Sequence, residues 1–179
     1  MKTIIDKQAD AAGILQKEFG YKNIMSIPKI QKVVISSATG TGMKKDRHRN
    51  DLVVDRLTKI TGQKPSVRQA RMSVASFKTR EGDKIGVAVT LRGKMMVGFL
   101  DKLFNIALPR TKDFRGIDRK SVDSMGNITF GIKEQTIFPE IKDEELKDVF
   151  GMAITIVTSA KDRQSATRLF EIVGVPFKK

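Results

Sequence analysis

Few residues in this chain could carry out chemistry. The one histidine, His48, stands in "MKKDRHRN" beside Arg47 and Arg49, just after Lys44 and Lys45. A histidine used as a general base needs a partner that orients it and steadies its proton. Cationic neighbours do the opposite, so His48 reads as a surface or phosphate-contact residue. The preceding stretch "ATGTGMKK" (38–45) follows a strand pattern and precedes a helical one. It is not a G-x-G-x-x-G, because Lys45 occupies the third glycine position, and it has no G-K-[ST]. What remains is a Gly-rich loop whose amides and lysines suit phosphate oxygens. Carboxylates gather in "EIKDEELKDV" (140–149), where Glu140, Asp143, Glu144, Glu145 and Asp148 alternate with Lys142 and Lys147. Cations inside an acidic cluster fit a solvated face better than a metal site. The chain has no cysteine, which excludes disulfides and thiolate zinc sites. No nucleophile–base pair, metal set or cofactor motif emerges, and the expectation is a protein that is not an enzyme and uses no cofactor.

Charge gives a positive indication. Among 179 residues, 34 Lys and Arg face 20 Asp and Glu, a formal net charge of +14. Residues 61–120 hold 14 basic against 5 acidic side chains, whereas residues 121–179 are close to neutral. A field of that sign, concentrated in the middle of the chain, attracts a polyanion. One expression of it is "RQARMSVASFKTREG" (68–82), where Arg68, Arg71, Lys78 and Arg80 surround Val74, Ala75 and Phe77 with no helical or strand period.

Several elements must position these residues. The spacing predicts a helix over 3–19 with Thr3 as its cap, Ile4, Ile5, Ala12, Leu15 and Phe19 near one face, and Gly20 as its stop. A strand follows Pro28 through "IQKVVIS", a helix covers 51–61, and "SVRQARM" (66–72) is a possible strand. Residues 73–82 read as a loop. "KIGVAVTLRG" (84–93) alternates with period two, Ile85, Val87, Val89 and Leu91 on one side and Gly86, Ala88, Thr90 and Arg92 on the other. The apolar segment 94–108 predicts a buried helix closed by Pro109. A second basic loop contains "DFRG" (113–116), a structural turn or an RNA contact. "NITFGIKE" and "MAITIVTS" read as further strands, and 162–173 as a last helix. Strands and helices mix without strict alternation, which predicts one α+β domain over 1–179, with a mostly antiparallel sheet and helices on a single face.

The other face of that sheet would carry Gly86, Ala88, Thr90, Arg92, Asn127, Thr129, Gly131, Lys133 and Thr155. Small residues admit a close backbone, hydroxyls bond phosphate or 2′-OH groups, and Arg and Lys supply charge. Periodicity alone leaves a merely solvated face equally open. The basic middle third favours a nucleic-acid platform.

At "GQKPSVRQARMSVASFKTREGDKIGVAVTLRG", "IALPRTKDFRG" and "EQTIFPEI" the sequence resembles the family of bacterial large-subunit ribosomal protein five, and the similarity runs to the terminal "VPFKK". The resemblance implies a curved sheet that binds 5S rRNA and helps attach it to 23S rRNA in the central protuberance. Carried over by position, Gln63, Thr90 and Arg92 match residues that contact 5S rRNA. Lys64 belongs with them. Ser36 stands where the family has an RNA-contacting Asn and has only a hydroxyl to offer. Lys44, Lys45, Arg47 and Arg115 become further rRNA contacts. The loop containing Ser73, Phe77, Lys78 and Arg80 would approach P-site tRNA. Glu140, Asp143, Glu144 and Glu145 would face a basic small-subunit protein. The implied location is the cytoplasmic ribosome. An N-terminus without an apolar core and the lack of any run of about 20 apolar residues agree with this. The competing reading is a general basic RNA chaperone without a fixed site.

Overall fold

A computed structural model describes residues 3–40, 48–112, 114–141 and 149–178. Their order is α1 (Ile4–Phe19), β1 (Ile30–Ala38), α2 (Arg49–Thr61), β2 (Ser66–Gln69), β3 (Lys84–Leu91), α3 (Gly93–Lys102, continued through Leu103–Ala107 and Leu108–Arg110), β4 (Ile128–Ile132), β5 (Met152–Thr158) and α4 (Arg163–Val173). The strands form one open antiparallel sheet in the order β2-β3-β1-β5-β4, so the fold is α+β as the sequence predicts.

The residues group into two compact units. One comprises 1–33, 92–130 and 155–179, the other 34–91 and 131–154. In the first, α1 packs on α3 and α4. Thr3 and Asp6 form a reciprocal capping box at the start of α1, and Gly20 ends the helix in the left-handed region. The buried face of α1 is Ile4, Ala11 and Leu15, whereas Ile5 and Phe19 are exposed. This corrects the face expected from the sequence, where both stripes carry aliphatic residues and only the packing partners select one. Asp101 of α3 accepts the Ile4 N–H at 3.2 Å. Arg168 of α4 places a fork on Glu18, with nitrogens 2.7 and 2.9 Å from its carboxylate oxygens. The same arginine reaches Glu171 at 3.2 Å, and Glu171 also takes Arg119 at 2.8 Å.

Pro109 does not close α3 but lies within its final turn, Leu108–Arg110. A proline there lacks the N–H that would bond four residues back. The preceding turn widens to a π-type turn over Leu103–Ala107, where the Leu108 N–H reaches back to the Leu103 carbonyl. Leu100, Leu103, Phe104, Ala107 and Leu108 are buried, but Met95 and Ile106 are exposed, so α3 is amphipathic and not wholly interior.

In the second unit α2 covers β2 and β3. Val53, Leu57 and Ile60 face the inward residues Val87 and Val89 of the same core. Ile85 lies near the strand end and is partly exposed. Ser37, the inward member of the Ser36–Ser37 pair, is buried and donates its hydroxyl to the Gly151 carbonyl at 2.8 Å.

The segment after β2 is not an unpaired loop. Ala70 and Asp83 bond through Ala70 N–H to Asp83 O at 2.8 Å, and Gly82 N–H reaches Ala70 O at 3.0 Å. Val74 and Thr79 then bond reciprocally, closing a short hairpin around the turn Ala75–Phe77. Lys78 follows the turn at φ 51°, the one described non-glycine residue with positive φ. The hairpin has no period because its pairing is short and its tip is solvated.

Candidate nucleic-acid interface

The uncovered sheet face is built strand by strand. In the second unit, β2 and β3 pair with Ser66 opposite Ala88 and Arg68 opposite Gly86. The Ser66 hydroxyl donates to the Ala88 carbonyl at 3.1 Å. On the other side of β3, Thr39 N–H donates to the Ile85 carbonyl at 3.0 Å. Carried along antiparallel strands, that register sets Ser36 of β1 beside Ala88. Three strands thus present a row of small side chains, Ser36, Ala88 and Ser66. Gly86 lies where β3 and β1 approach closely: a Cβ there would lie 3.1 Å from the Ser37 carbonyl oxygen. Thr90 lies one step from this row toward one end, and Arg68 one step toward the other.

Ser36 is exposed and Thr90 half-buried, both on this face. Gln63 and Lys64 are exposed in the short link between Gly62 and β2. Gly62 ends α2 in the left-handed region, and the Thr61 hydroxyl accepts the Gln63 N–H at 3.3 Å, which fixes the link. Arg92 belongs to the first unit. It is exposed, extended (φ −139°, ψ 165°) and precedes the first residue of α3. Ser66 and Arg68 join this face only through the strand register. Their i, i+2 spacing in "SVRQ" is the signal that marks them.

In the first unit Thr129 of β4 and Thr155 of β5 are neighbours, their hydroxyl oxygens 3.0 Å apart. Asn127 departs from the expected outward role. Its side chain donates to Asp123 at 3.1 Å and accepts from the Thr158 N–H at 3.2 Å, so it ties a turn to β5. Asp123 is partly shielded from solvent, which raises its pKa. The Asn127 backbone and amide, with the Met125 and Gly126 N–H groups, outweigh that and hold the carboxyl below its ordinary range.

The hairpin displays its cations and its aromatic ring. Phe77 is 71% exposed, and Lys78 and Arg80 are exposed. The Ser73 hydroxyl accepts the Glu81 N–H at 3.0 Å, and Asp83 accepts the Arg80 N–H at 2.7 Å. Ser73 is therefore a structural fastener as well as an exposed residue. In the second basic loop, Arg115 is exposed while Gly116 (φ +93°) lies against the Phe177–Lys178 backbone. Asp113 of "DFRG" lies outside the described residues. Lys44, Lys45, Arg47, Asp143, Glu144 and Glu145 lie outside the described residues, and Glu140 is half-buried. Among the described residues no group of three or more His, Cys, Asp or Glu is placed to hold a metal ion. No described helix is long and apolar enough to cross a membrane.

A basic α+β chain with an open sheet face of small and hydroxylated residues has the surface that an RNA-binding protein needs. Comparison with known proteins is specific. Residues 23–80 match the family model for ribosomal protein L5, and residues 84–177 match the model for the C-terminus of the same ribosomal family. The large ribosomal subunit protein uL5 of Thermotoga maritima is 50% identical over 169 residues, 92% of this chain and 89% of that one. Those of Heliobacterium modesticaldum and Mycoplasma capricolum are 47% and 52% identical, covering 96% and 92% of this chain and 94% and 91% of theirs. The chain belongs to the L5 family of ribosomal proteins. It is a structural constituent of the large ribosomal subunit, in the cytoplasm.

Proposed function

We propose that the chain binds 5S rRNA on its open sheet face and helps attach it to 23S rRNA in the central protuberance. The observation that carries this reading is the row Ser36, Ala88 and Ser66, flanked by Thr90, in a member of this family. Small side chains let a sugar–phosphate backbone lie close to the sheet. Hydroxyls of Ser36 and Thr90 and the Gln63 amide can bond phosphates, 2′-OH groups or base edges. Arg92 and Lys64 add charge, Arg92 with the fork suited to bidentate contact. Ser36 is shorter than the Asn it replaces and has only a hydroxyl to offer.

In the same reading the hairpin reaches P-site tRNA through Phe77, Lys78 and Arg80, with Ser73 bracing its base. Arg115 and the basic residues Lys44, Lys45 and Arg47 contact rRNA phosphates. The acidic residues Glu140, Asp143, Glu144 and Glu145 meet a basic small-subunit protein, since a negative segment is repelled by rRNA. The whole chain 1–179 acts as one functional domain. Gel-shift titrations with 5S rRNA, tRNA and an unrelated RNA at two salt concentrations test the core of the proposal. Selective retention of 5S rRNA at the higher salt is the expected result. Equal binding of all three would instead mark a general RNA chaperone.

A further inference from the structure

Two turns lie at one end of the sheet within the first unit, and each lifts a methionine into solvent. Ile24 and Met25 are 66% and 81% exposed in the turn Ile24–Ser26, and Met125 is 65% exposed in the turn before β4. They are about 100 residues apart in sequence. The Lys29 carbonyl accepts the Ser159 N–H at 2.9 Å, and the Ser159 hydroxyl accepts the Lys29 N–H at 3.0 Å. The Thr158 hydroxyl donates to the Gly126 carbonyl at 2.7 Å. The start of β1, the end of β5 and the start of β4 therefore meet, and two strand spacings separate the outer pair by roughly 10 Å. β3 runs antiparallel to β1, so Arg92 emerges at this same end.

Neither turn is slack. The Asn23 side chain accepts the Met25 N–H at 2.9 Å, its carbonyl accepts both the N–H and the hydroxyl of Ser26, and Ile27 and Pro28 are buried beneath. Asp123 accepts the Asn127 N–H at 2.7 Å and the Asn127 amide at 3.1 Å. Their side-chain and backbone hydrogen bonds hold these exposed apolar tips in place, open to a partner. Charge indicates which partner. Residues 19–45 contain no Asp or Glu, and Lys22 and Lys29 bracket the first turn. The carboxylate of Asp123 is turned to its own loop's N–H groups.

We propose that Ile24, Met25 and Met125 form an apolar ledge that receives unpaired bases of the 5S rRNA, while Lys22 and Lys29 hold the adjoining phosphates. Duplex RNA offers mainly phosphates and a shallow groove, whereas looped bases expose apolar faces that match such tips. The proposal rests on the reading of the sheet face as the 5S rRNA site.

The test measures 5S rRNA affinity across a salt series for the double variant I24S/M25S, for M125S and for R92A, with thermal unfolding of each. The ledge predicts that I24S/M25S loses roughly tenfold in affinity. Its salt slope stays unchanged, because no phosphate contact is removed, and its unfolding is unaltered. M125S should lose less, in the same manner. Wild-type affinity in I24S/M25S beside a weakened R92A would overturn the ledge and leave the sheet-face reading standing. Wild-type affinity in both would overturn both. Normal 5S rRNA binding by I24S/M25S with failed incorporation into large subunits would assign the ledge to another partner, a protein included, and overturn the proposal.

Discussion

Val74 and Thr79 exchange backbone hydrogen bonds at 2.9 and 3.2 Å, and this one pair sets where Phe77 stands. Replacing Thr79 with proline removes the N–H of one bond and should open the hairpin. The expected outcome is unchanged 5S rRNA affinity with weakened protection of P-site tRNA in ribosomes carrying the variant. Lys78→Gly should leave the turn closed, since φ 51° suits glycine, and diminish only the charge contact. Loss of 5S rRNA binding in Thr79→Pro would contradict the division of labour between hairpin and sheet.

Arg92 and Lys64 are both exposed, but they should fail differently. Arg92→Ala is expected to weaken 5S rRNA binding by about 1–3 kcal/mol, the range for a lost charge-assisted hydrogen bond. Lys64→Ala, as the loss of a single phosphate contact, should flatten the log–log salt dependence by a little under ~1 unit. Titrations at four or more salt concentrations separate the two.

Gly116 occupies a site no side chain fits. At φ +93° an added Cβ would lie 2.6 Å from the Lys178 nitrogen, against backbone that is itself held by the Lys178 N–H to Ile117 O bond. Gly116→Ala should destabilise the fold by roughly 2 kcal/mol or more, read from urea unfolding. Arg115→Ala, next to it and exposed, should unfold like wild type within about 0.5 kcal/mol and show only weaker RNA binding.

The Glu18–Arg168 pair should shape the acid limb of stability. Hydrogen bonding from Arg168 holds the Glu18 carboxyl below its ordinary value in the folded chain. A carboxyl with a depressed folded pKa stabilises above its unfolded pKa, and that contribution disappears as pH falls through the folded one. Glu18→Gln should therefore be less stable than wild type at neutral pH, with the difference closing below about pH 4. Thermal unfolding of both proteins between pH 3 and 7 measures this. A constant gap across the range would show that the pair does not titrate as described.

Reversing Glu144 and Glu145 to lysine addresses the acidic segment. Folding should be unaffected. Subunit association at low magnesium should weaken, while 5S rRNA affinity stays level or rises. Unchanged association, with 5S rRNA fully incorporated, would reduce the segment to a solvated acidic surface.

Much of this molecule is readable from local rules. The period of two in 84–91 and 152–158 marks strands, because successive Cβ atoms alternate whatever the neighbours are. Ala166, Leu169, Phe170 and Val173 name the buried face of α4, and Gly174 its end, since helix geometry spaces them so. The excess of basic residues points to a polyanion without any coordinates. Local rules stop where pairing begins. Ile4 and Ile5 are equal candidates for the core until α3 and α4 pack on α1 and select Ile4, Ala11 and Leu15. Asn127 looks like an outward polar residue until Asp123 and Thr158 claim its side chain. The alignment of Ser36, Ala88 and Ser66 depends on register between strands up to 52 positions apart, which no window along the chain contains. The bonds that join Lys29 to Ser159 and Thr158 to Gly126 have the same origin: chain topology brings together what periodicity cannot see.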